Sequence, residues 1–249
     1  RLEKYMEQSL LKADGVIAIS EFTGTEIETL FHYPGEKIFV THLGIEECFR
    51  KIEDEEYLKN TLRKYGIKYP YILYTGTIEP RKNVAQLVRV FNICAKDLPH
   101  YLVLAGRKGW KYENIEKEIE ISPFKQRICQ LGYVPDEDLP FIYNGADIFV
   151  FPSLYEGFGF PPLEAMRCGL PVLSSDRASL KEVLKDGVFY FNPFEETDKD
   201  IAEKIINILS DGVGREKKIE KAVQIAESYT WKKTAEKTLD IYKRIVNGK

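Results

Sequence analysis

A glycine-rich loop flanked by two glutamates is the stretch of this sequence with the clearest chemistry. Glu156 precedes the run Gly157-Phe158-Gly159-Phe160, and Glu164 follows it after two prolines. The apolar stretch Ala146–Phe151 before the loop predicts a buried strand, and the prolines indicate that a helix begins directly after it. A helix N-terminus behind such a loop presents backbone N–H groups to an anion. Because two carboxylates would repel a phosphate alone, we expect a ligand that carries sugar hydroxyls as well.

Each of these glutamates also has a simpler interpretation. In a first helical turn, Glu164 would be stabilised by the helix dipole without any ligand. Glu156, directly before a loop glycine, would then face water, and Phe158 and Phe160 would pack in the core. The joint placement of both carboxylates around one loop favours a binding site over these alternatives.

Two adjacent cations follow an earlier predicted strand. Arg81 and Lys82 come after Tyr71–Thr75, with Gly76 and Thr77 at the strand end. Arginine as a bidentate fork and lysine as a point charge both suit a diphosphate. Taken alone, a solvated basic pair in a loop is the better interpretation. The sequence has neither GxGxxG nor GxxxxGK[ST], so neither a dinucleotide fingerprint nor a P-loop is supported.

Six apolar runs alternate with helical patterns from residue 71 onward and predict an α/β fold with a doubly wound parallel sheet. Ligands of such sheets bind at the carboxyl ends of the strands. Tyr133 and Val134 follow the third of these strands and would form a shelf for a nucleotide base. The predicted strands are Tyr71–Thr75, Tyr101–Ala105, Arg127–Leu131, Ala146–Phe151, Pro171–Ser174 and Val188–Phe191.

Residues 1–44 also show an α/β pattern, but with too few strands for an independent sheet. We therefore expect residues 1–44 to be the tail of a preceding domain and residues 45–249 to form the main domain, with the boundary near Gly44. The chain begins without methionine, which suggests a fragment. Three helices are predicted to close the chain, the last one amphipathic through Trp231, Leu239, Tyr242 and Ile245.

Composition excludes several functional classes. A formal net charge of −3 argues against a nucleic-acid-binding protein, which would carry a basic face. The four cysteines are widely spaced and form no CxxC pair, so neither a metal site nor a disulfide framework is expected. No apolar run approaches the length of a membrane span. These features are typical of a cytoplasmic protein.

Several segments together resemble family 4 of the retaining GT-B glycosyltransferases, over nearly the whole chain from about Asp14. The glutamate pair, with seven residues between its members around a Gly-Phe-Gly loop, is the specific part. One departure is Thr77, where many members carry an arginine five residues before the lysine; we expect Arg81 to supply that charge. The segments are Tyr74 to Asn83, Leu104 to Gly106, Gly132 to Asp136 and Glu156 to Ala165.

The resemblance implies a Rossmann-like donor-binding half of a GT-B enzyme and a role for each matching residue. Lys82, with Arg81, would hold the donor diphosphate, and Glu156 would contact hydroxyls of the donor sugar; these three would be the catalytic residues. Glu164 would bind the ribose hydroxyls, and no metal would be needed. We therefore expect all four charged residues to converge on one cleft. The remaining donor-binding residues would be Gly76, Thr77, Tyr133, Val134, Gly157, Phe158, Gly159 and Phe160.

The expected function is transfer of a hexose, mannose or glucose, from a nucleotide-diphosphate sugar with retention. The acceptor would be a polysaccharide or glycolipid, bound through the N-terminal domain that this chain lacks, so the isolated chain would be poorly active. No cofactor and no nucleic acid are expected, and peripheral association with the inner face of the membrane would suit such an acceptor. A non-catalytic nucleotide-sugar-binding subunit and a GT-B-type epimerase or phosphorylase remain as alternatives.

Overall fold

A six-stranded parallel sheet with helices on its flanks forms the centre of the fold, as the sequence predicts. The computed structural model describes residues 2–247, with side chains from Tyr5 onward. Residues 1, 248 and 249, at the outer limits of the two predicted domains, lie outside the described residues. Within that part of the chain the strands are β1 (Val16–Ala18), β2 (Ile38–Val40), β3 (Tyr71–Thr75), β4 (Tyr101–Ala105), β5 (Ile128–Gly132), β6 (Ile148–Phe151), β7 (Val172–Ser175) and β8 (Phe189–Phe191).

The helices follow the predicted alternation, with ends that differ by a few residues. None of those between residues 2 and 247 has the combined length and apolar character that crossing a bilayer requires. They are α1 (Leu2–Lys12), α2 (Glu21–Phe31), α3 (Glu55–Lys64), α4 (Val84–Cys94), α5 (Glu113–Glu120), α6 (Leu139–Asn144), α7 (Phe160–Arg167), α8 (Leu180–Leu184), α9 (Asp198–Ser210), α10 (Gly212–Glu227) and α11 (Trp231–Asn247).

The order of the strands in the large sheet is β5-β4-β3-β6-β7-β8. β3 and β6 occupy the centre and are buried along their whole length, because both faces of the sheet are covered. From this pair the chain proceeds outward in two directions, through β4 and β5 on one side and through β7 and β8 on the other. The order of winding therefore reverses between β3 and β6.

β1 and β2 form a separate two-stranded parallel sheet, with α2 packed against it. We call residues 2–44 the N-terminal unit. The chain leaves this unit at Gly44, where a Cβ atom would lie 2.1 Å from the backbone nitrogen of Trp231. α11 starts there and returns, so that a Cβ on Gly15 would lie 2.9 Å from the Ile245 side chain. The tail-of-a-domain interpretation of this unit stays a prediction.

The expected apolar face of the last helix is wrong at three of its four residues, whereas Ile245 is partly buried, beside Gly15. Trp231, Leu239 and Tyr242 are 44%, 52% and 58% exposed, whereas Ile241 is 6% exposed and faces the protein. On the packed side, Thr234 donates a hydrogen bond to the carbonyl oxygen of His42 at 2.9 Å. Apolar residues lie on more than one side of this helix, so the sequence pattern alone cannot tell which side packs against the protein.

We expect Gly44→Ala to lower the free energy of unfolding by about 2 kcal/mol or more, because two backbone segments cannot both accommodate the added methyl group. Urea denaturation would measure this loss. Gly212→Ala is the matched control, since a Cβ there meets no atom within 4 Å. That variant should be neutral or stabilised by about 0.5 kcal/mol. Equal stabilities for the two variants would contradict the close approach at Gly44.

Candidate functional site

The predicted cations lie where the sheet reverses its winding. Ligands of doubly wound sheets bind at the carboxyl ends of the strands beside this reversal. The chain after β3 forms a short 3-10 helix, Pro80–Lys82, and the chain after β6 carries Ser153 and Glu156. The backbone N–H of Leu154 donates to the Arg81 carbonyl at 2.9 Å, which ties the two segments together. The sheet topology therefore brings together residues that are about 75 positions apart.

Lys82 and Glu156 form a buried ion pair. The Lys82 Nζ atom lies 2.5 Å from Glu156 Oε1, and each residue is only 8% exposed. Ser153 donates to the same carboxylate oxygen at 2.6 Å, and Arg81 Nη1 lies 3.3 Å from the other oxygen. A buried carboxylate is tolerated when charge pairing and hydrogen bonds both satisfy it. The three residues predicted to be catalytic thus meet at one point.

The Arg81 guanidinium is largely occupied by its own surroundings. Its Nη2 atom lies 2.8 Å from Glu79 Oε1, and its Nη1 atom donates to the Tyr155 carbonyl at 2.5 Å. Together with the contact to Glu156, these bonds clamp the start of the glycine-rich loop against the segment after β3. Whether Arg81 also supplies the charge that Thr77 lacks stays a prediction.

The N-terminal unit holds the glycine-rich loop from one side. Ser20 and Thr23, at the start of α2, donate to the Gly157 carbonyl oxygen at 2.7 Å and 3.3 Å. Glu182, on α8, accepts from the first two backbone N–H groups of α2 at 2.8 Å and 3.1 Å. His42 Nε2 lies 2.8 Å from the same carboxylate. The unit and the loop are therefore joined by several polar contacts.

Ser179 holds the loop from the other side. Its hydroxyl lies 2.9 Å from the Glu156 carbonyl oxygen and 3.1 Å from that of Phe158. The Phe158 side chain is 3% exposed and makes edge contacts with Phe160 and Tyr229, with ring centroids 5.3 Å and 5.7 Å apart. Phe158 thus anchors the loop in the core, and Phe160 is half-buried beside it.

The loop carbonyls are engaged, but the N–H groups are not. In the part of the chain that the structure describes, no protein acceptor binds the N–H groups of Gly157, Phe158 or Gly159. Gly159 has φ of 113°, and a Cβ there would lie 2.9 Å from the Leu180 side chain, so this position requires glycine. Successive unpaired N–H groups ahead of a helix are a common anion-binding arrangement.

A cavity of about 320 Å³ opens at the carboxyl ends of β3 and β4 and beyond β5. The Arg107 guanidinium lies 4.3 Å from the centre of the Tyr133 ring, and both residues line the cavity. Such a stacked pair is a cation–π contact, which leaves the edge donors of the arginine accessible. Five of the predicted donor-binding residues line this cavity: Gly76, Thr77, Tyr133, Val134 and Glu164.

The Glu164 carboxylate lies against the wall of this cavity. Its pKa is raised to about 7, because burial and, to a smaller extent, nearby Asp136 together outweigh the lowering by a hydrogen bond from Tyr143. Lys82 and Glu156 do not line this cavity among the described residues. The sequence predicts one cleft for all four charged residues. The structure places Glu164 on the wall of this cavity and the ion pair at the loop, and the segment after β3 contributes residues to both.

Several residues that hold the site in place cannot be recognised from the sequence. Ser20 caps α2, and it also binds the loop from the N-terminal unit. Ser153, Thr23, Ser179 and Tyr143 carry no motif, since hydroxyl groups are common and their partners lie far away along the chain. Among the described residues, no group of three His, Cys, Asp or Glu side chains could hold a metal ion.

Comparisons with known proteins identify similar sequences over most of this chain. Residues 59–226 match the family described as "Glycosyl transferases group 1". The O-antigen chain mannosyltransferase B of Escherichia coli is 36% identical over 245 residues, which are 97% of this chain and 64% of that protein. The serotype-specific mannosyltransferase WbdA of Escherichia coli is 30% identical, over 95% of this chain and 29% of that protein. The chain thus spans less than two thirds of either relative.

Solved structures share the fold at low sequence identity. A glycosyltransferase from Rickettsia africae superposes with a TM-score of 0.82 at 22% identity, over 99% of this chain and 67% of that one. Anabaena HepE, solved in complex with UDP-glucose, gives 0.80 at 18% identity, over 99% of this chain and 70% of that one. Together with the sequence match, the likeness confirms the predicted GT-B architecture. This chain belongs to the group 1 glycosyltransferase family.

Proposed function

We propose that this chain binds the donor of a retaining hexosyltransferase, which takes a hexose from a nucleoside-diphosphate sugar and needs no metal ion or cofactor. One observation carries the proposal: three backbone N–H groups, from Gly157 to Gly159, have no acceptor among the described residues and directly follow Glu156 of the ion pair with Lys82. Fixed dipoles and a fixed cation beside one another suit a diphosphate group.

The charges of the site match the charge that develops during transfer. As the bond between the sugar and the nucleotide breaks, negative charge accumulates on the leaving diphosphate. Lys82 and the loop N–H groups are oriented beforehand by their contacts, so they would stabilise this charge with little reorganisation. An ammonium group has three donors, which allows Lys82 to keep its bond to Glu156 while it binds a phosphate oxygen. In this proposal Glu156 accepts from the sugar hydroxyls.

The cavity beside β3 would hold the nucleoside. Glu164 would accept hydrogen bonds from the ribose, and Tyr133 with Val134 would contact the base. A cavity of about 320 Å³ is of the right order for this part of a nucleotide. Retention of the anomeric configuration is part of the proposal and is supported by the family resemblance.

Mannose is the hexose that we propose, with glucose as the second choice. The similar Escherichia coli proteins are named as mannosyltransferases, and one of them acts on the O-antigen chain according to its name. We therefore propose a polysaccharide or glycolipid acceptor, with the protein in the cytoplasm at the inner face of the membrane.

Lys82→Met should reduce the affinity for the nucleotide-sugar donor, or kcat/KM where transfer is measured, by about 10²-fold or more, because the fixed cation is lost. The substitution also leaves Glu156 buried without its main partner, which destabilises the fold. The double variant Lys82→Met/Glu156→Gln removes that uncompensated charge and should recover stability without recovering donor affinity. Isothermal titration calorimetry and thermal melting would measure the two effects separately.

Lys59→Met is a suitable control for this series. Lys59 pairs with Glu55 on the exposed surface of α3, so its loss should change neither stability nor donor affinity measurably. If the double variant binds the donor as tightly as the wild type, the diphosphate does not lie on Lys82.

A panel of UDP-, GDP- and ADP-linked mannose and glucose should contain one donor that binds clearly more tightly than the rest. Titration in the presence of EDTA should give the same affinity, because the site supplies its own cation. NMR of the transferred sugar should show the anomeric configuration of the donor. Failure of every donor to bind would overturn the proposal, whereas binding without transfer to any acceptor would favour a non-catalytic nucleotide-sugar-binding subunit.

A further inference from the structure

Tyr143 is buried and contacts the proposed ribose site. The sequence does not suggest a role for it. It lies on α6, is 0% exposed, and packs its ring against Phe49 and Phe149. Its hydroxyl oxygen lies 2.8 Å from Glu164 Oε2 and 2.6 Å from Thr75 Oγ1. The hydroxyl therefore joins the end of β3 to the carboxylate on α7.

The chemistry of these groups fixes the direction of both hydrogen bonds. An ionised carboxylate only accepts, and a phenol has a single proton, so Tyr143 donates to Glu164 in its ionised form. The Thr75 hydroxyl must then donate to the Tyr143 oxygen. Desolvation raises the pKa of Tyr143 well above its usual value, which keeps the phenol protonated and a donor at every physiological pH. The chain runs Thr75 to Tyr143 to Glu164.

This chain of bonds occupies only one carboxylate oxygen. Among the described residues, no hydrogen-bond donor is recorded for Glu164 Oε1, and Glu164 lines the cavity of about 320 Å³. A carboxylate held by one oxygen cannot rotate freely, so its other oxygen keeps a constant direction. The preorganisation of a polar group in this way strengthens the hydrogen bonds that it makes to a ligand.

We propose that Tyr143 is a positioning residue, which fixes the Glu164 carboxylate through the Thr75–Tyr143–Glu164 chain so that it binds the ribose hydroxyls of the donor. This inference rests on the proposed function, which places the nucleoside in this cavity. Tyr143 touches no ligand in this arrangement and acts through Glu164.

The charged and titratable groups around Glu164 determine how much the hydrogen bond from Tyr143 matters for its ionisation. Burial and the nearby Asp136 carboxylate favour the neutral form of Glu164, whereas the bond from Tyr143 favours the ionised form. The thiols of Cys48 and Cys168 lie near enough to be influenced by Glu164, and burial raises the pKa of both, so they remain neutral. Arg107 lines the same cavity as the only cation among its described residues, and it stacks on Tyr133.

The experiment compares nucleotides with and without the ribose hydroxyls. Calorimetry would give the affinities of the full chain for UDP, GDP and ADP and for the 2′,3′-dideoxy form of each. The preference for the ribose form is the ratio of the two affinities, which cancels any contribution of the diphosphate. Tyr143→Phe should reduce this ratio by about tenfold, as expected for a weakened bond to a charged acceptor, with little change for the dideoxy nucleotide. Glu164→Ala should abolish the preference, so the ratio measured for this variant is the lower limit for the others.

Tyr71→Phe is the matched control. Tyr71 is also 0% exposed and donates a buried hydrogen bond, at 2.6 Å, to the Ile142 carbonyl on the same helix α6. Its substitution removes a buried hydroxyl without touching Glu164, so it should lower stability but keep the ribose preference. A general loosening of α6 would instead reduce the affinity for both nucleotide forms in both variants.

The outcomes separate the two proposals. If the wild type has no ribose preference, or if Glu164→Ala keeps it, the assignment of the ribose to Glu164 fails. If Glu164→Ala abolishes the preference while Tyr143→Phe leaves it at the wild-type value, only the positioning role fails. An equal loss in Tyr143→Phe and Tyr71→Phe also overturns that role.

The pH dependence of the ribose preference gives a second readout. The ionised carboxylate is the better acceptor for two hydroxyls, so the preference should decline as the pH falls through the Glu164 pKa of about 7. Tyr143→Phe removes a bond that lowers this pKa, so the midpoint of the decline should move to higher pH. Tyr71→Phe should leave the midpoint where it is. A midpoint unchanged in Tyr143→Phe would contradict the proposed contact.

Discussion

The buried ion pair between Lys82 and Glu156 is the interaction on which the candidate site depends. Two charges with 8% exposure each would be costly to bury, and they are tolerated because Ser153 and Arg81 complete the hydrogen bonds of the carboxylate. The pair joins the chain after β3 to the chain after β6, across the point where the sheet reverses its winding. The same contacts that stabilise this junction hold a cation at the strand ends, where a phosphate group would approach.

The glycine-rich loop acquires its binding surface from contacts on its opposite side. Hydroxyl groups of Ser20, Thr23 and Ser179 bind its carbonyl oxygens, and a peptide whose carbonyl is fixed must direct its N–H the other way. The orientation of the loop thus depends in part on α2, which lies in the N-terminal unit. Any movement of that unit relative to the main sheet would displace the Gly157 carbonyl. The loop therefore links the two parts of the chain physically.

The two carboxylates around the loop have different surroundings, which explains how both can be present. Glu156 is neutralised by Lys82 and lies beside the unpaired N–H groups, so its charge does not oppose an anion strongly. Glu164 lines the cavity beside β3, where burial raises its pKa to about 7. In the proposed function Glu156 binds hydroxyl groups of the sugar and Glu164 binds those of the ribose, with the diphosphate between them.

The sequence by itself determined the sheet, the loop and the residues of the ion pair, because apolar periodicity and the placement of glycine and proline are local signals. It also indicated the family, whose segments near Lys82 and Glu156 are short and contiguous. Only the tertiary structure decided which hydroxyls fix the loop, which side of α11 packs against the protein, and which partners each of the two glutamates has. The contacts of Ser20, Ser179 and Tyr143 join residues separated by more than twenty positions. Such contacts depend on how the helices pack against the strands, and the spacing of residues along one chain does not encode that packing.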